Sequence, residues 1–300
     1  MEQYLPQCLD SITREDVPDT LEAIIVNDGS TDHSLEIATD YKNKHPDIIK
    51  IIDKANGHYG SCINAALKIA TGKYFRPLDA DDWFDTNALI QFLGKLSYFN
   101  SDLIITSYKK IFGNSKQLVG NFNLPPEINS DISILSTNLQ MNGDALKMHS
   151  MTYSLDLLKK IKYHQQEGIC YTDTEYYLIP LEYASSFTFI DIPLYQYRLG
   201  REGQSVNNDI LKKNLHQLAL VIIRLLSEIK TETNVIQAKI IELTSFYLDF
   251  ALNKKLTIIE KRDLTEILTL LQQKPPTTRQ NIYRKFPIQL FFWKFFKLFH

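Results

Sequence analysis

The chain has 300 residues, 44% hydrophobic and 23% charged, which excludes a disordered, collagen-like or low-complexity protein and fits one large domain or two smaller ones. Lys and Arg number 33 against 35 Asp and Glu, a net charge of −2, so no overall field draws the chain to nucleic acid. Cys8, Cys62 and Cys170 are far apart and odd in number, with no CxxC pair, which argues against a disulfide framework or structural zinc and for a reducing compartment. The opening residues have neither the basic nor the apolar stretch of a secretory signal, and no run of about 18 apolar residues predicts a spanning helix.

In chain order, residues 21–26 predict a strand that ends at the turn Asn27-Asp28-Gly29-Ser30. Ser30-Thr31-Asp32 is capping chemistry for a helix over 34–44. Further strands at 48–52, 73–78 and 102–106 alternate with helices at 61–70 and 86–98. Such alternation predicts an α/β fold with a mostly parallel central sheet covered on both faces. Gly113-Asn114, Pro125-Pro126 and Asn142-Gly143 punctuate a loop-rich excursion with short strands over 113–150. Helices near 154–161 and 173–183 precede a strand at 187–192. Stretches 209–230, 234–252 and 260–273 then have helical spacing alone, until Lys274-Pro275-Pro276-Thr277-Thr278 breaks the pattern. The expected organisation is an α/β catalytic domain over 1–205, a helical region over 206–273, and a linker with an amphipathic tail over 274–300.

Five segments carry chemistry. Leu78-Asp79-Ala80-Asp81-Asp82-Trp83 sets three carboxylates directly after a strand. They repel one another unless a cation sits there, and hard oxygen ligands suit Mg2+ or Mn2+ bridging to phosphates. The structural alternative is a helix cap at Asp82 or Asp85 with the other charges solvated. Asp28 ends a strand, where its carboxylate can accept from a base imide or ribose hydroxyl; the alternative is a capping turn. Asn56-Gly57-His58-Tyr59-Gly60-Ser61, with Lys54 before it, leads into a helix whose exposed amides suit an anion, without Walker or GxGxxG spacing. Asp173 and Glu175 begin a helix, as a general base or as favourable N-terminal charge. Arg198 and Arg201 stand among glycines after a strand, fit to hold a pyrophosphate or merely to form a surface loop.

The order of these segments resembles the inverting glycosyltransferases of family 2, which have the GT-A fold. The matching pieces are 4–12, then Ile25-Val26-Asn27-Asp28-Gly29-Ser30-Thr31-Asp32, Asn56-Gly57 with Gly60 and Asn64, and Ala70-Thr71-Gly72-Lys73-Tyr74 running into Leu78-Asp79-Ala80-Asp81-Asp82. The resemblance implies that Asp28, with Lys54, contacts the donor nucleotide. It makes Asp79 and Asp81 the metal-binding pair, with Asp81 the direct ligand and Asp79 nearer the ribose; Asp82 and Trp83 fall on the acceptor side or behind the ligands. Asp173 matches the catalytic base, with Thr172 where the family has Glu, and Arg198 and Arg201 lie in the loop that closes over the diphosphate. The reaction that the resemblance implies moves a UDP-linked sugar, with inversion and with Mg2+ or Mn2+. A phosphatase of the haloacid dehalogenase type and an inactive membrane-associated scaffold are the alternatives.

The resemblance also implies a strand of the type Ile-Ile-Val-Pro-Tyr-Asn before Tyr4, in the middle of the sheet. The chain starts after it, so the expectation is a start codon placed too far downstream, and, for the chain as written, unpaired backbone groups and an open core. At the other end, about ten apolar side chains between Phe286 and Phe299, with Arg284, Lys285, Lys294 and Lys297, suit a helix lying in a membrane interface. The expected setting is the cytoplasmic face of the cell membrane, where a membrane-bound glycan or lipid-linked acceptor of a surface polysaccharide is met.

Overall fold

The computed structural model describes residues 1–18, 20–119, 127–131, 146–201, 204, 208–230 and 234–286. It divides into two compact units, Met1–Gln204 and Ser205–His300. In the first unit, α1 (Leu5–Thr13) opens with a proline in its first turn, where no intrahelical N–H is lost, and buries Leu5, Cys8, Leu9 and Ile12 along one face. β1 (Ala23–Asp28) crosses through α2 (Ser34–Lys44) to β2 (Ile49–Lys54), and α3 (His58–Ile69) follows. β1 and β2 pair in parallel in a register that sets Asp28 opposite Lys54.

β3 (Tyr74–Phe75) and β4 (Trp83–Phe84) bracket the carboxylate loop. The Asp85 side chain then caps α4 (Thr86–Leu96), accepting from the Ala88 N–H at 3.1 Å. β5 (Leu103–Phe112) turns through Gly113, at φ +52°, into β6 (Ser115–Val119). β7 (Glu127–Asp131), a 3-10 turn at Met148–Ser150, β8 (Met151–Ser154), α5 (Leu155–Lys160), α6 (Asp173–Tyr183) and the long β9 (Ser186–Leu199) complete the unit. The larger sheet has the order β3-β8-β5-β9-β4, with β6 on β5 and β7 on β9. Leu103, Ile104, Ile105, Tyr108, Phe187 and Tyr195 are wholly buried in it.

The mostly parallel arrangement needs correction. Of the seven pairings described, only β1·β2 and β5·β9 are parallel. β8 enters between β3 and β5, antiparallel to both, and the β5–β6 hairpin is antiparallel by necessity. Alternating strands and helices report which strands are joined by crossovers; they do not report which later strand enters between them.

β1 pairs with β2 on one edge and with no strand on the other among the described residues. Beyond that edge lies a cavity of about 580 Å3, lined by Leu9, Ile25, Ile63, Leu78 and Phe92 among others.

The second unit is helical: α7 (Asn208–Lys213), α8 (Leu215–Glu228), α9 (Asn234–Ala251), α10 (Ile258–Leu271) and α11 (Pro276–Lys285). α8 buries Leu215, Leu218, Ala219, Ile222, Leu225 and Leu226, the stripe of a helix with one face in the core. α10 begins with a capping box between Thr257 and Glu260. Two expectations change. The helix foreseen over 209–230 is interrupted at Asn214, and the stretch foreseen as a linker forms α11 instead. Pro276 opens α11 rather than breaking it, because its missing N–H falls where none is needed. Thr278 donates to the Gln237 side chain at 2.9 Å, and Ile282 and Phe286 are buried. Residues 287–300, the bulk of the proposed amphipathic tail, lie outside the described residues. No helix among the described residues is long and apolar enough to cross a membrane.

Candidate active site

The first cluster forms where β1 and β2 end side by side. Asp28 Oδ1 accepts from the Lys54 ammonium, from the Gly57 N–H at 2.9 Å and from the Ser61 hydroxyl at 3.4 Å. Lys54 also donates to the Ala55 carbonyl at 2.7 Å and to the Ser61 hydroxyl at 2.8 Å. A Cβ on Gly57 would lie 2.6 Å from the Ser61 hydroxyl, so only glycine brings this amide to the carboxylate. Burial acts to raise the Asp28 carboxyl, but the Lys54 charge and the Gly57 and Ser61 donors outweigh it and hold it below the ordinary range.

The second cluster gathers around the carboxylate loop. The Asp82 N–H bonds the Asp79 carbonyl at 2.9 Å, closing a turn that projects three carboxylates within four residues. Asp82 is 1% exposed; Tyr195 O–H donates to its Oδ2 at 2.6 Å and the Arg198 N–H to its Oδ1 at 2.7 Å. Asp81 is ion-paired with Arg201. Arg198 donates through Nε to the Asp81 carbonyl at 2.9 Å and through a terminal nitrogen to the Gln7 side chain. Its guanidinium lies 4.9 Å from the Tyr4 ring centre and 4.7 Å from that of Trp83. The two arginines thus tie the loop to α1 and to the end of β9.

The carboxyls here differ from Asp28. Burial, with the charges of Asp82, Asp81 and Asp173, pushes Asp79 well above the ordinary range against the pull of Arg201. Burial pushes Asp82 up to about 7 against its bonds from Tyr195 and Arg198. Asp173, at the start of α6, is raised by burial while Lys147 draws it down. Asp173 is near enough for its charge to bear on Asp79 and on Tyr197. Thr172 is fully buried, its carbonyl bonded by Gln165.

All nine residues singled out in the sequence therefore fall in or beside two clusters: Asp28 and Lys54 in one, and Asp79, Asp81, Asp82, Trp83, Arg198 and Arg201 with adjacent Asp173 in the other. Sequence reasoning gave no role to His149, Tyr195 or Tyr197. The His149 ring is stacked on Tyr197 at 4.1 Å and meets Tyr195 edge-on at 4.8 Å. One potential ligand atom each from Asp79, Asp82 and His149 lie within 4.8 Å of one another. Tyr195 and Tyr197 were legible as an alternating pair on a strand; the segment around His149 carries no such signal. The donor set of carboxylates with an imidazole fits a divalent cation, and no described residue donates a hydrogen bond to the Asp79 carboxylate.

A parallel strand pair joined through a helix, together with a separate mixed sheet carrying clustered carboxylates between its strands, fits a GT-A-like nucleotide-diphospho-sugar transferase fold. A solved structure of Staphylococcus aureus TarS residues 1–349 in complex with UDP-GlcNAc matches 92% of this chain and 79% of its own, with a TM-score of 0.68 and 20% identity. The family model described as Glycosyl transferase family 2 matches residues 2–160, and the chain belongs to that family. The chain is 29% identical over 163 residues to a poly(ribitol-phosphate) beta-glucosyltransferase of Bacillus spizizenii, covering 54% of this chain and 24% of that protein. It is 40% identical over 86 residues to chondroitin synthase of Pasteurella multocida, covering 29% of this chain and 9% of that protein. The chain thus spans at most a quarter of either relative. Neither the fold nor the family match favours the phosphatase or the scaffold.

Proposed function

We propose that the protein is a glycosyltransferase that takes a nucleotide-diphosphate sugar, UDP-linked, and passes the sugar with inversion to a polysaccharide or glycolipid acceptor of the cell envelope. The observation that carries this reading is the convergence of Asp79, Asp81, Asp82, Arg198 and Arg201 beside Asp173 in a member of family 2. The similarity to a poly(ribitol-phosphate) beta-glucosyltransferase and to a chondroitin synthase supports the acceptor class.

Asp28, already oriented by Lys54, Gly57 and Ser61, accepts from the nucleoside. Asp79, Asp81 and Asp82 would hold Mg2+ or Mn2+, which would supply positive charge to the departing diphosphate. Arg201 and Arg198 add positive charge on the same side. Asp173 takes the proton from the acceptor hydroxyl as its oxygen attacks the sugar carbon opposite the diphosphate. The raised pKa of Asp173 makes it a stronger base, and its activity is lost as pH falls through that value. The expected result is UDP release that needs acceptor, donor and metal, with Asp173→Asn lowering kcat about 10²–10⁴-fold while donor affinity persists. Phosphate release from simple monoesters without nucleotide sugar would reverse the reading.

We also place the enzyme at the cytoplasmic face of a membrane, held by the tail after α11. The apolar and cationic lettering of 287–300 supports this; Phe286 itself is committed to the helical unit. Anionic liposomes should sediment the full chain and leave behind a chain ending at Phe286. Equal sedimentation of both would remove the anchor.

A further inference from the structure

The segment between α5 and α6, residues 163–172, contains no helix or strand. Its backbone groups must therefore find partners elsewhere, and several of them find α3. Asn64, 4% exposed in the middle of that helix, accepts from the Gln165 N–H at 2.8 Å and donates to the Gln165 carbonyl at 2.9 Å. One side chain thus satisfies both backbone groups of that residue. Its second amide hydrogen goes to the Glu167 carboxylate at 2.8 Å, with the His164 ring nitrogen 3.1 Å away. One turn earlier in α3, a Cβ on Gly60 would lie 1.9 Å from the Gln166 carbonyl oxygen, so segment and helix meet backbone to backbone.

The same segment is tied to both parts of the site. The Gly168 N–H donates to the Gly57 carbonyl at 2.8 Å, and the Gly57 N–H is the amide from which Asp28 accepts. The buried Gln165 side chain donates to the Thr172 carbonyl, and Glu175 accepts from the Gln166 N–H at 2.9 Å. Thr172 and Glu175 bracket Asp173 at the start of α6.

We propose that Asn64 is a positioning residue for sugar transfer: it clasps residues 163–172 to α3 and so fixes the Asp173 carboxylate relative to the cluster around Asp28. The role of Asp173 rests on the transferase reading; the clasp stands on the hydrogen bonds. Asparagine suits the task because it offers two donors and an acceptor on one short planar group. An aspartate there would keep the acceptor, lose both donors and set a second negative charge against Glu167. Misplacing a reacting group by about 1 Å costs on the order of 10²-fold in rate, so a residue buried beneath the segment sets kcat without donating or taking a proton.

The test is a double-mutant cycle on the full chain, read as steady-state sugar transfer, with UDP affinity measured in parallel by calorimetry. N64A should lower kcat about 10–100-fold and leave UDP affinity within about threefold of wild type. In a D173N background N64A should cost less than about threefold, because the group that it positions is gone. Equal losses in both backgrounds would reduce Asn64 to a stabilising residue and overturn the proposal. G60A reaches the same segment by a second route: it keeps the Asn64 side chain, favours the helix by propensity, and pushes Gln166 away. It should show the same loss of kcat and the same dependence on Asp173; wild-type kcat in folded G60A would overturn the proposal. Should N64A fail to fold, G60A carries the cycle alone. Amide hydrogen exchange in N64A should speed up at Gln165, Gln166 and Gly168 and stay unchanged at Gly57; unchanged exchange at Gln165 would remove the clasp. Release of those amides in a protein without sugar transfer would sink the transferase reading and leave the clasp standing. Additive losses in an active transferase would sink the positioning role alone.

Discussion

β1 and β5 are spelled in nearly the same apolar letters, Ala-Ile-Ile-Val and Leu-Ile-Ile-Thr. Ile104 and Ile105 of β5 are wholly buried between neighbouring strands, while Ile24 and Ile25 of β1 are only partly buried beside the cavity. Their electrostatics run the opposite way. Asp28, at the end of the poorly packed strand, is matched by an ammonium, an amide and a hydroxyl. Asp79 and Asp82, beside the well-packed sheet, are buried with too little compensation for their charged forms, so both carboxyls are pushed up. A strand's own letters set how much apolar surface it offers; burial depends on a neighbour at each edge, and charge balance on what reaches the strand's end.

The largest effect that would sharpen this contrast is at Asp79. Asp79→Ala should lower kcat about 10²–10³-fold, as loss of one preorganised electrostatic group does, with steady-state transfer as the measure. Next comes packing: Ile104→Ala should cost about 2–5 kcal/mol in urea unfolding. Ile25→Ala should cost about 1 kcal/mol or less, because it empties space that is already open. Equal costs would mean that the cavity beside β1 is closed in solution.

Protonation gives an intermediate effect. The folded Asp82 carboxyl, at about 7, holds its proton more tightly than the unfolded carboxyl near 4, so its contribution to stability is full below about pH 4 and is lost as pH rises towards 7. Asp28 acts in reverse: its contribution is present above about pH 4 and fades as pH falls through its lowered value. The metal-free Tm should therefore fall between pH 5 and pH 8, and Mn2+ should flatten the slope. Asp79→Asn should raise the metal-free stability at pH 8 by about 0.5–2 kcal/mol while abolishing metal binding, the trade-off of a strained functional group. A flat metal-free profile would break the contrast between the two clusters. The smallest effect is at Lys54: Lys54→Met should cost about 1 kcal/mol, because the pair with Asp28 is partly solvated, and should be seen as a small fall in Tm.

Much of the first unit was legible because its signals are local. The apolar runs at 21–26 and 48–52, the capping run at 30–32 and the acidic loop at 79–82 are each contained in a few residues, and the structure puts strand, strand, helix and turn at those places. The helices of the second unit were legible for the same reason, from their 3.6-residue stripes. Pro276 was misread because a proline opens a helix as readily as it ends one, and only the buried Ile282 and Phe286 decide between the two.

The sequence by itself determined that this is a family 2 chain with its carboxylates at a strand end, because composition, alternation and motif spacing all act over short stretches of chain. The tertiary structure alone decided that β8 enters the sheet antiparallel, that a cavity stands beside β1, that Arg201 occupies Asp81, and that His149 comes from some 70 residues away to stand by Asp79 and Asp82. The physical reason is the same in each case: these are encounters between segments distant along the chain, set by sheet register and by the packing of rings and helices, and no local pattern encodes the partner on the other side.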